Sequence, residues 1–559
     1  MGQKNKKNEL NKLIDYLIIG NSAAGLSAAQ TIRQYDRNGR IGVFTSEAYF
    51  NYSKPLITYY LADKIGIEKI NFKDKAFYLD NNVDLFLNTE IIEIVPKFNK
   101  VISKDGKEFH YSKLLIASGG KPIIPKIEVI NLSDNFNELD NLLINFKNSK
   151  LSELSYAKIK SDNEKTVILD KKMPKGVFTL TKLDDAISIK NYIKEKNIKD
   201  AVILGGGLIG LKAAEAFLNL GIKITIIELS NTILSASFDP IVSEIIKEKI
   251  QKQGSKVLTS TTVSTIFVSS GTVKKLKLTS DDNRTKQYLD CNLLVIAVGV
   301  KPNTDFINLN TYENNKYYQS NKIYNQNYNQ NEKTNSNSRE EKISVIKSSN
   351  ISSNIRLYNG ILVNERMQTN IQNIYAAGDV VKSFDKILNS FRNIAIWPLA
   401  SKQGICAGSN MAGKQNIYSG GFFMNSVEIL DIPVISIGLS NLSGEKELLE
   451  ELEESKLVDF DKKFYNLKNI SIEKFQDMEI YKIYNPEKNY YKKLVIRNNR
   501  IIGAILLGAI ERAGIFSGLI NNQIDISEIK KNLLKDDFGL IQLPKNYKKH
   551  LVIGEGIEV

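Results

Sequence analysis

Apolar residues gather in short runs that are separated by glycine-rich turns. The run Ile14–Ile19 is almost continuous and leads through a Gly-rich turn into an Ala-rich stretch, then into a second apolar run that ends near residue 46. A strand that is apolar at successive positions is buried on both faces, which is the mark of a parallel sheet. Residues 201–228 repeat this order: AVIL, the turn GGGLIG, an Ala-rich helix, then KITIIE. Two separate βαβ units predict two doubly wound, Rossmann-like dinucleotide-binding domains and an α/β fold class. Two further segments are also paired, KLLIASGGKP (113–122) and LLVIAVGVKP (293–302), each an apolar strand ending in A-x-G-x-K-P. From about residue 416 the pattern changes to alternating segments such as YKKLVIRNNRIIGAILLGAI, followed by the short helical stretches AGIFSGLINN and SEIKKNLL. This predicts a separate C-terminal α+β interface domain.

Three stretches interrupt the pattern. Residues 129–172 are polar with weak periodicity, 308–355 are of low complexity and rich in Asn, Tyr, Gln and Ser, and 441–475 contain the acidic, helix-like GEKELLEELEESKL. Such segments bury little apolar surface, so surface insertions are expected, serving either as docking surface or as padding. The expected organisation is a first nucleotide domain over 1–128 and 356–415, a second over 173–307, and a C-terminal domain over 416–559, with the three insertions between and within them.

Composition narrows the chemistry. The 559 residues are 42% hydrophobic and 25% charged, an ordinary globular mix with ample core for about three domains. The formal net charge of +14 fits either an acidic partner or a general bias toward lysine. The basic residues are scattered rather than arranged in a stripe with aromatics, so no nucleic-acid binding is expected. Two cysteines, Cys291 and Cys406, cannot build a disulfide framework, a structural zinc site or a four-thiolate cluster, and reduced thiols suit a cytoplasmic protein. No metal site is expected. The polar, basic N-terminus lacks a signal-peptide core, and the longest apolar run, Ile501–Ile510, is too short to span a bilayer, so no membrane span is expected.

The second Gly-rich turn, Gly205-Gly206-Gly207-Leu208-Ile209-Gly210, fits GxGxxG. Gly205 permits a tight turn, Gly207 lets the backbone approach a pyrophosphate, and Gly210 lets the helix pack on its strand, with Ile209 in the first helical turn. The helix N-terminus then offers N–H groups to the phosphates. Glu228, at the end of the next strand, can accept hydrogen bonds from a ribose 2′,3′-diol, while a 2′-phosphate there would meet a like charge costing several kcal/mol. The following LSNTIL has no Arg or Lys to offset that charge, so NADH is expected over NADPH. The first turn, Gly20-Asn21-Ser22-Ala23-Ala24-Gly25, has Ser22 in place of the middle glycine, and its hydroxyl can bond a phosphate. The acidic residue for this unit follows from spacing. Gly205 to Glu228 is 23 residues, and the first helix is longer by three (Gly25 to Gly39 is 14, Gly210 to Gly221 is 11), which lands on Ser46 with Glu47 next. Glu47 is therefore the candidate for the ribose of the first nucleotide. The paired A-x-G-x-K-P segments bring Ala117, Gly119 and Gly299 to the nucleotide edges. NIYAAGDVV (373–381) ends an apolar strand in Gly378-Asp379, where a carboxylate can hold a polyol chain.

With these motifs in view, the chain resembles the FAD-dependent pyridine nucleotide-disulfide oxidoreductase superfamily. It is most similar to the branch of rubredoxin reductases and the flavoprotein part of assimilatory nitrite reductase. The segments IIGNSAAGLSAA, YFNYSKPLITYYLA, LLIASGGKP, ILGGGLIGLKAAEA, VGVKPNTDF, GILVNERMQTNIQNIYAAGDV and AIWPLASKQG occur in that order, and DDFGLIQLPKNY follows. The resemblance implies that Gly20, Ser22, Ala24 and Gly25 take the FAD pyrophosphate and that Asp379 holds the ribitol. It also implies that Lys54 in YSKP lies beside the isoalloxazine, where a cation stabilises a reduced, anionic flavin. The second Gly-rich unit would bind NAD, and the C-terminal domain would make a homodimer.

Two departures bear on mechanism. Disulfide reductases of this superfamily need a cysteine pair beside the flavin, and several relatives keep one cysteine near the YFNYSKPLITYY segment, which here has none. Cys291 reads as a core residue and Cys406 as helical and structural. Many relatives also carry Glu where this chain has Lys212, which makes the flavin surroundings more cationic unless Glu215 reaches in. Without thiols, electrons must leave the flavin directly. The expected function is a FAD-containing NADH oxidoreductase that passes electrons to a carrier protein: rubredoxin, ferredoxin or an iron–sulfur partner subunit. The alternatives are an NADH oxidase that reduces oxygen directly and a flavoprotein subunit or sensor with little turnover.

Overall fold

The computed structural model describes residues 13–132, 166–169, 173–280, 287–307, 355–442, 456–457, 470–475, 477–535, 537–539 and 542–543. The first nucleotide sheet places strand Ile14–Ile19 at its centre, parallel to Ile41–Phe44 on one side and to Glu108–Ile116 on the other. Strand Val83–Phe86 extends it beyond Ile41–Phe44, and Ile374–Ala376 returns from far along the chain to pair in parallel with Glu108–Ile116. The apolar run is legible as a central strand because both its faces are covered: Ile14, Leu17 and Ile18 are fully buried. Burying each such side chain is worth about 1.5–3 kcal/mol.

The second nucleotide sheet is all parallel, in the order Val177–Thr179, Leu294–Ile296, Asp200–Leu204, Lys223–Ile227, Lys256–Leu258. A five-stranded sheet beside it contains Glu128–Leu132 and Thr166–Ile168, joined to Thr261–Ser269. The polar stretch 129–172 is thus strand at both ends, a correction to its reading as an insertion throughout. Val129 and Ile130 are buried there, and a five-residue strand is too short for its periodicity to stand out in a polar context. Residues 133–165 and 308–354 lie outside the described residues, as does most of the acidic stretch 441–475, where Lys456–Leu457 and Ile470–Phe475 are strands.

Two chain crossings tie the nucleotide domains together. Gly120–Pro122 and Val300–Pro302, the tails of the two A-x-G-x-K-P segments, pair as an antiparallel ribbon. Just outside the ribbon, Gly119 O accepts from Asn303 N–H and Gly299 O accepts from Ile123 N–H, so the two glycines are held in mirrored positions.

The C-terminal domain is a seven-stranded sheet whose neighbouring strands pair antiparallel. One face puts Val434, Tyr491, Ile505 and Leu507 into a core shared with the second nucleotide domain. The other puts Ile435, Leu494, Ala504 and Leu506 against helix Ala513–Asn521. Alternation along Ala504–Leu507 therefore serves two cores. SEIKKNLL, expected as a short helix, supplies a 3₁₀ turn over Lys530–Asn532.

A buried ion pair fastens this sheet to the second nucleotide domain. Asp239 caps helix Pro240–Lys252 by accepting from Val242 N–H (3.4 Å). Its Oδ2 accepts from Tyr491 Oη (2.6 Å) and pairs with Lys493 Nζ (3.2 Å), with both charged side chains only 6% exposed. Removing one partner strands the other charge in the core. Asp239→Ala is expected to cost about 3–5 kcal/mol and to lower the thermal unfolding midpoint, with partial recovery in Asp239→Ala/Lys493→Met. A loss below about 1 kcal/mol in the single variant would show that water already reaches the pair.

Candidate functional site

The two Gly-rich turns are built alike. Gly20 and Gly205 both have positive φ, +124° and +111°, and their N–H groups donate to Phe44 O and Ile227 O, the last residues of the neighbouring strands. A Cβ on Gly20 would lie 2.1 Å from Ala117 O, and one on Gly205 would lie 2.4 Å from Ala297 O. A Cβ on Gly25 would lie 1.9 Å from Gly20 O, and one on Gly210 2.0 Å from Gly205 O. Both first and third glycines are therefore required by backbone-to-backbone contact. The middle position differs. Gly207 has φ −78° and nothing within 4 Å of an added Cβ, while Ser22 has φ −136°, so neither demands glycine. Ser22 stands at the position of the first turn that matches Gly207, where an added Cβ meets nothing. Its hydroxyl makes no capping bond to helix Ala23–Tyr35.

Around the first turn the structure gathers most of the residues singled out from sequence. Ala24 touches the Gly378–Asp379 turn, since a Cβ on Gly378 would lie 3.2 Å from Ala24 Cβ. Lys54, at the start of a 3₁₀ turn, brings its ammonium to 3.9 Å from where a Gly119 Cβ would sit. Lys54 also lies within electrostatic reach of Asp379, whose carboxyl is pushed up by burial against the lowering influence of that ammonium. Among the described residues neither the Asp379 carboxylate nor the Lys54 ammonium makes a hydrogen bond or a close ion pair. A free hydroxyl at Ser22, an open carboxylate and an open ammonium converge on one edge of the sheet. This polar set fits a molecule with a pyrophosphate, a polyol and a ring that takes up negative charge, as FAD has.

Glu47 is placed differently from its spacing argument. It lies three residues past strand Ile41–Phe44, and its Oε2 accepts from Tyr52 Oη (2.6 Å). The sheet register pairs Ile19 with Phe44 and Leu204 with Ile227, so the counterpart of Glu228 is Thr45. The arithmetic overshoots because Gly39 stands one residue nearer its strand end than Gly221 does. Glu47's carboxylate is already aimed at Tyr52, whose hydroxyl also accepts from Leu183 N–H. Burial, then that carboxylate, raises the Tyr52 phenol above its ordinary value.

The second turn keeps its carboxylate in place. Glu228 Oε2 accepts from Gly206 N–H (2.6 Å) and Oε1 from Ser230 N–H (2.7 Å). Both oxygens retain lone pairs for a diol. Leu229, beside it, is 64% exposed and presents no cation. Ile209 packs into the core from the first turn of helix Leu208–Asn219, and Gly299 (φ +118°) faces this edge from the ribbon.

Lys212 does not stand beside Lys54 as a second cation. Its ammonium pairs with Glu215 (2.5 Å), donates to Glu428 O (3.0 Å) and lies 5.0 Å from the Tyr59 ring centre. Glu215 also holds Lys64 (3.2 Å). This cluster joins the Lys54 segment, the second nucleotide domain and a C-terminal hairpin. Burial pushes the Cys291 thiol up to about 12 and the Cys406 thiol up to about 11. Cys406 Sγ lies against Glu365 O and Asn416 O. Among the described residues no cluster of His, Cys, Asp and Glu could hold a metal, and no helix is long and apolar enough to cross a membrane.

Sequence reasoning missed two amides. Gln403 Oε1 accepts from Gly378 N–H (2.9 Å), and Asn393 Nδ2 donates to Asp379 O (2.6 Å) and Val381 O (2.8 Å). An isolated Gln or Asn carries no local pattern, so only the fold shows them.

The pyridine nucleotide-disulphide oxidoreductase family matches residues 14–330 and 344–404, and the rubredoxin NAD+ reductase C-terminal domain matches 463–524. The chain is 27% identical to a CoA-dependent NAD(P)H sulfur oxidoreductase of Pyrococcus abyssi over 77% of each chain. It is 26% identical to the NADH-rubredoxin oxidoreductase of Clostridium acetobutylicum over 76% of this chain and 80% of that one. In fold it is similar to the solved NADH:rubredoxin oxidoreductase of C. acetobutylicum (TM-score 0.55, 21% identity, 93% of this chain and 98% of that one). It is likewise similar to an NAD-dependent persulfide reductase of A. fulgidus (TM-score 0.63, 20% identity, 92% of this chain and 78% of that one).

A carboxyl held above its ordinary value penalises the folded chain while ionised. For Asp379 that penalty is present at neutral pH, begins to shrink as pH falls through its raised folded value and is gone below the ordinary carboxyl value of the unfolded chain. In FAD-free protein, Asp379→Asn is expected to raise the thermal midpoint at pH 7 and to leave it unchanged at a pH below the titration. Equal shifts at both pH values would count against a burial penalty at this site.

Proposed function

The chain belongs to the pyridine nucleotide-disulphide oxidoreductases, flavin-using NAD(P)H oxidoreductases, and from that premise we propose that it takes hydride from NADH and passes the electrons through FAD to a one-electron carrier protein. The observation that carries this reading is that both nucleotide edges keep their close-contact glycines and polar anchors while both thiols are buried, which pushes them up to about 12 and about 11. When bound, FAD would supply a ring able to take one hydride, that is two electrons, and to release those electrons one at a time.

The chain's own residues then have separable tasks. The turn Gly20–Gly25 and the N-terminus of helix Ala23–Tyr35 bind the FAD pyrophosphate, with Ser22 adding a hydroxyl. Asp379 accepts from ribitol hydroxyls, and Lys54 holds a positive charge near the ring, where negative charge develops. Ala117 and Gly119 shape the wall beside it. Glu47 stays the candidate for the adenosine ribose of FAD, acting with Tyr52. Gly205, Gly207 and Gly210 take the NAD pyrophosphate, Glu228 the ribose diol, and Ile209 and Gly299 line that edge. The carrier would be rubredoxin, ferredoxin or an iron–sulfur subunit. Support comes from the match of the C-terminal domain to that of rubredoxin reductases and from the net charge of +14, which favours an acidic partner. A cytoplasmic location and a homodimer complete the proposal. Direct reduction of oxygen is the competing reading, favoured by a relative named NADH oxidase in Methanocaldococcus jannaschii (27% identity over 71% of this chain and 70% of that one).

The first test is an anaerobic titration of the purified protein. NADH is expected to bleach the flavin band at concentrations at least about 10-fold below NADPH, a gap of about 1.4 kcal/mol. Glu228→Ala/Leu229→Arg is expected to narrow or reverse that gap. Equal bleaching by both nucleotides in the parent would remove the Glu228 argument.

A second test concerns thiols. Cys291→Ala/Cys406→Ser is expected to retain NADH-dependent reduction of rubredoxin or ferredoxin within about threefold, because a thiol held near 11 or 12 is almost wholly protonated at neutral pH. Loss of carrier reduction with flavin bleaching intact would restore a thiol relay. Oxygen consumption that outpaces every carrier would favour the oxidase reading.

A further inference from the structure

The Asp379 carboxylate has no hydrogen bond of its own among the described residues, so its aim depends on the backbone that carries it. That backbone turns at Gly378, whose φ of +85° glycine adopts freely and other residues rarely do. Gln403, only 1% exposed, accepts from Gly378 N–H through Oε1 (2.9 Å) and donates through Nε2 to Ser383 Oγ (3.1 Å). Asn393 holds the other side through Asp379 O and Val381 O. Gln403 belongs to helix Trp397–Met411, which lies in backbone contact with helix Ala23–Tyr35. A Cβ on Gly404 would sit 2.2 Å from Ala24 O, and one on Gly408 2.7 Å from Ala28 O. Gly378 itself is wedged between Ala24 and Ala400, at 3.2 and 3.6 Å from an added Cβ.

We propose that Gln403, registered by Gly404 against Ala24, is a positioning residue that fixes the Gly378–Asp379 turn relative to the Gly20–Gly25 turn, so that one helix sets the span between the two FAD anchors. The inference rests on the reading of these turns as the FAD site. A side-chain amide suits the task because it satisfies a buried N–H and a buried hydroxyl at once, and losing it leaves both unpaired. The close glycine contacts matter equally. They allow no slack between the helices, so a shift of Gln403 has to move Asp379 rather than be absorbed by packing.

The test is FAD binding to full-length protein stripped of flavin, read by quenching of flavin fluorescence and by the fine structure of the bound visible spectrum. Gln403→Met keeps length and apolar packing but loses both hydrogen bonds. It is expected to weaken FAD binding about 10- to 100-fold and to blur the spectrum, as the loss of the buried bond to Gly378 N–H predicts, the Ser383 bond adding little. Ser383→Ala frees the far end of the amide but leaves the Gly378 bond, and is expected to stay within about threefold of the parent. Should Gln403→Met fail to fold, Asn393→Ala carries the same expectation from the other side of Asp379. Parent-like affinity and spectrum in Gln403→Met, or in Asn393→Ala where that variant stands in, overturn this inference alone. Failure of the unaltered chain to bind FAD overturns the underlying reading of the site, and the positioning role with it.

Discussion

At each nucleotide edge a glycine sits against the carbonyl oxygen of the alanine that follows the neighbouring strand: Gly20 against Ala117 and Gly205 against Ala297. Any side chain there would need space 2.1 or 2.4 Å from an oxygen atom, which no rearrangement of a side chain could provide. The contact fixes where the strand end, the turn and the following helix meet, and the third glycine, Gly25 or Gly210, closes the helix onto that turn. The direction of the helix N-terminus, the open space before Gly207, and the placing of Asp379 beside Ala24 all depend on it. The same constraint recurs between helices, where Gly404 and Gly408 bring Trp397–Met411 against Ala23–Tyr35.

The two nucleotide edges are not independent. Their A-x-G-x-K-P tails pair with each other, and Gly119 and Gly299 accept mirrored hydrogen bonds across the ribbon. A second bridge is ionic. Glu215 holds Lys212 and Lys64 while Tyr59 lies under Lys212, so the segment that carries Lys54 is fastened to the second nucleotide domain. A third bridge is the Asp239–Lys493 pair, buried where the C-terminal sheet meets that domain. The first bridge is made of backbone hydrogen bonds and the other two of ion pairs, and none of them draws on Ser22, Lys54 or Asp379. Polar groups spent on holding domains together are hydrogen-bonded or paired; among the described residues the side chains of Ser22, Lys54 and Asp379, at the first Gly-rich turn, are not.

Sequence alone determined the parts of this protein that rest on local backbone geometry. Continuous apolar runs marked the parallel strands because burial on both faces leaves no polar position. The glycine spacing marked both turns because contact with a carbonyl excludes every other residue. Glu228 was legible because its unit has no insertion between turn and carboxylate, and the positions of Cys291 and Cys406 showed that they form no CxxC pair and that the YFNYSKPLITYY segment has no cysteine. The tertiary structure decided what depends on residues far apart in the chain. It placed Thr45, not Glu47, at the position matching Glu228, because register across the sheet, and not loop length, sets which residue reaches the edge. It gave Glu215 to Lys212 and Lys64 and left Lys54 open, a choice among four charges that linear order cannot rank. It made strands near both ends of the polar stretch 129–172, since Glu128–Leu132 finds its partner Thr261–Ser269 far along the chain and then pairs on its other side with Thr166–Ile168. And it revealed Gln403 and Asn393, whose amides act through backbone groups that only folding brings within 3 Å of them.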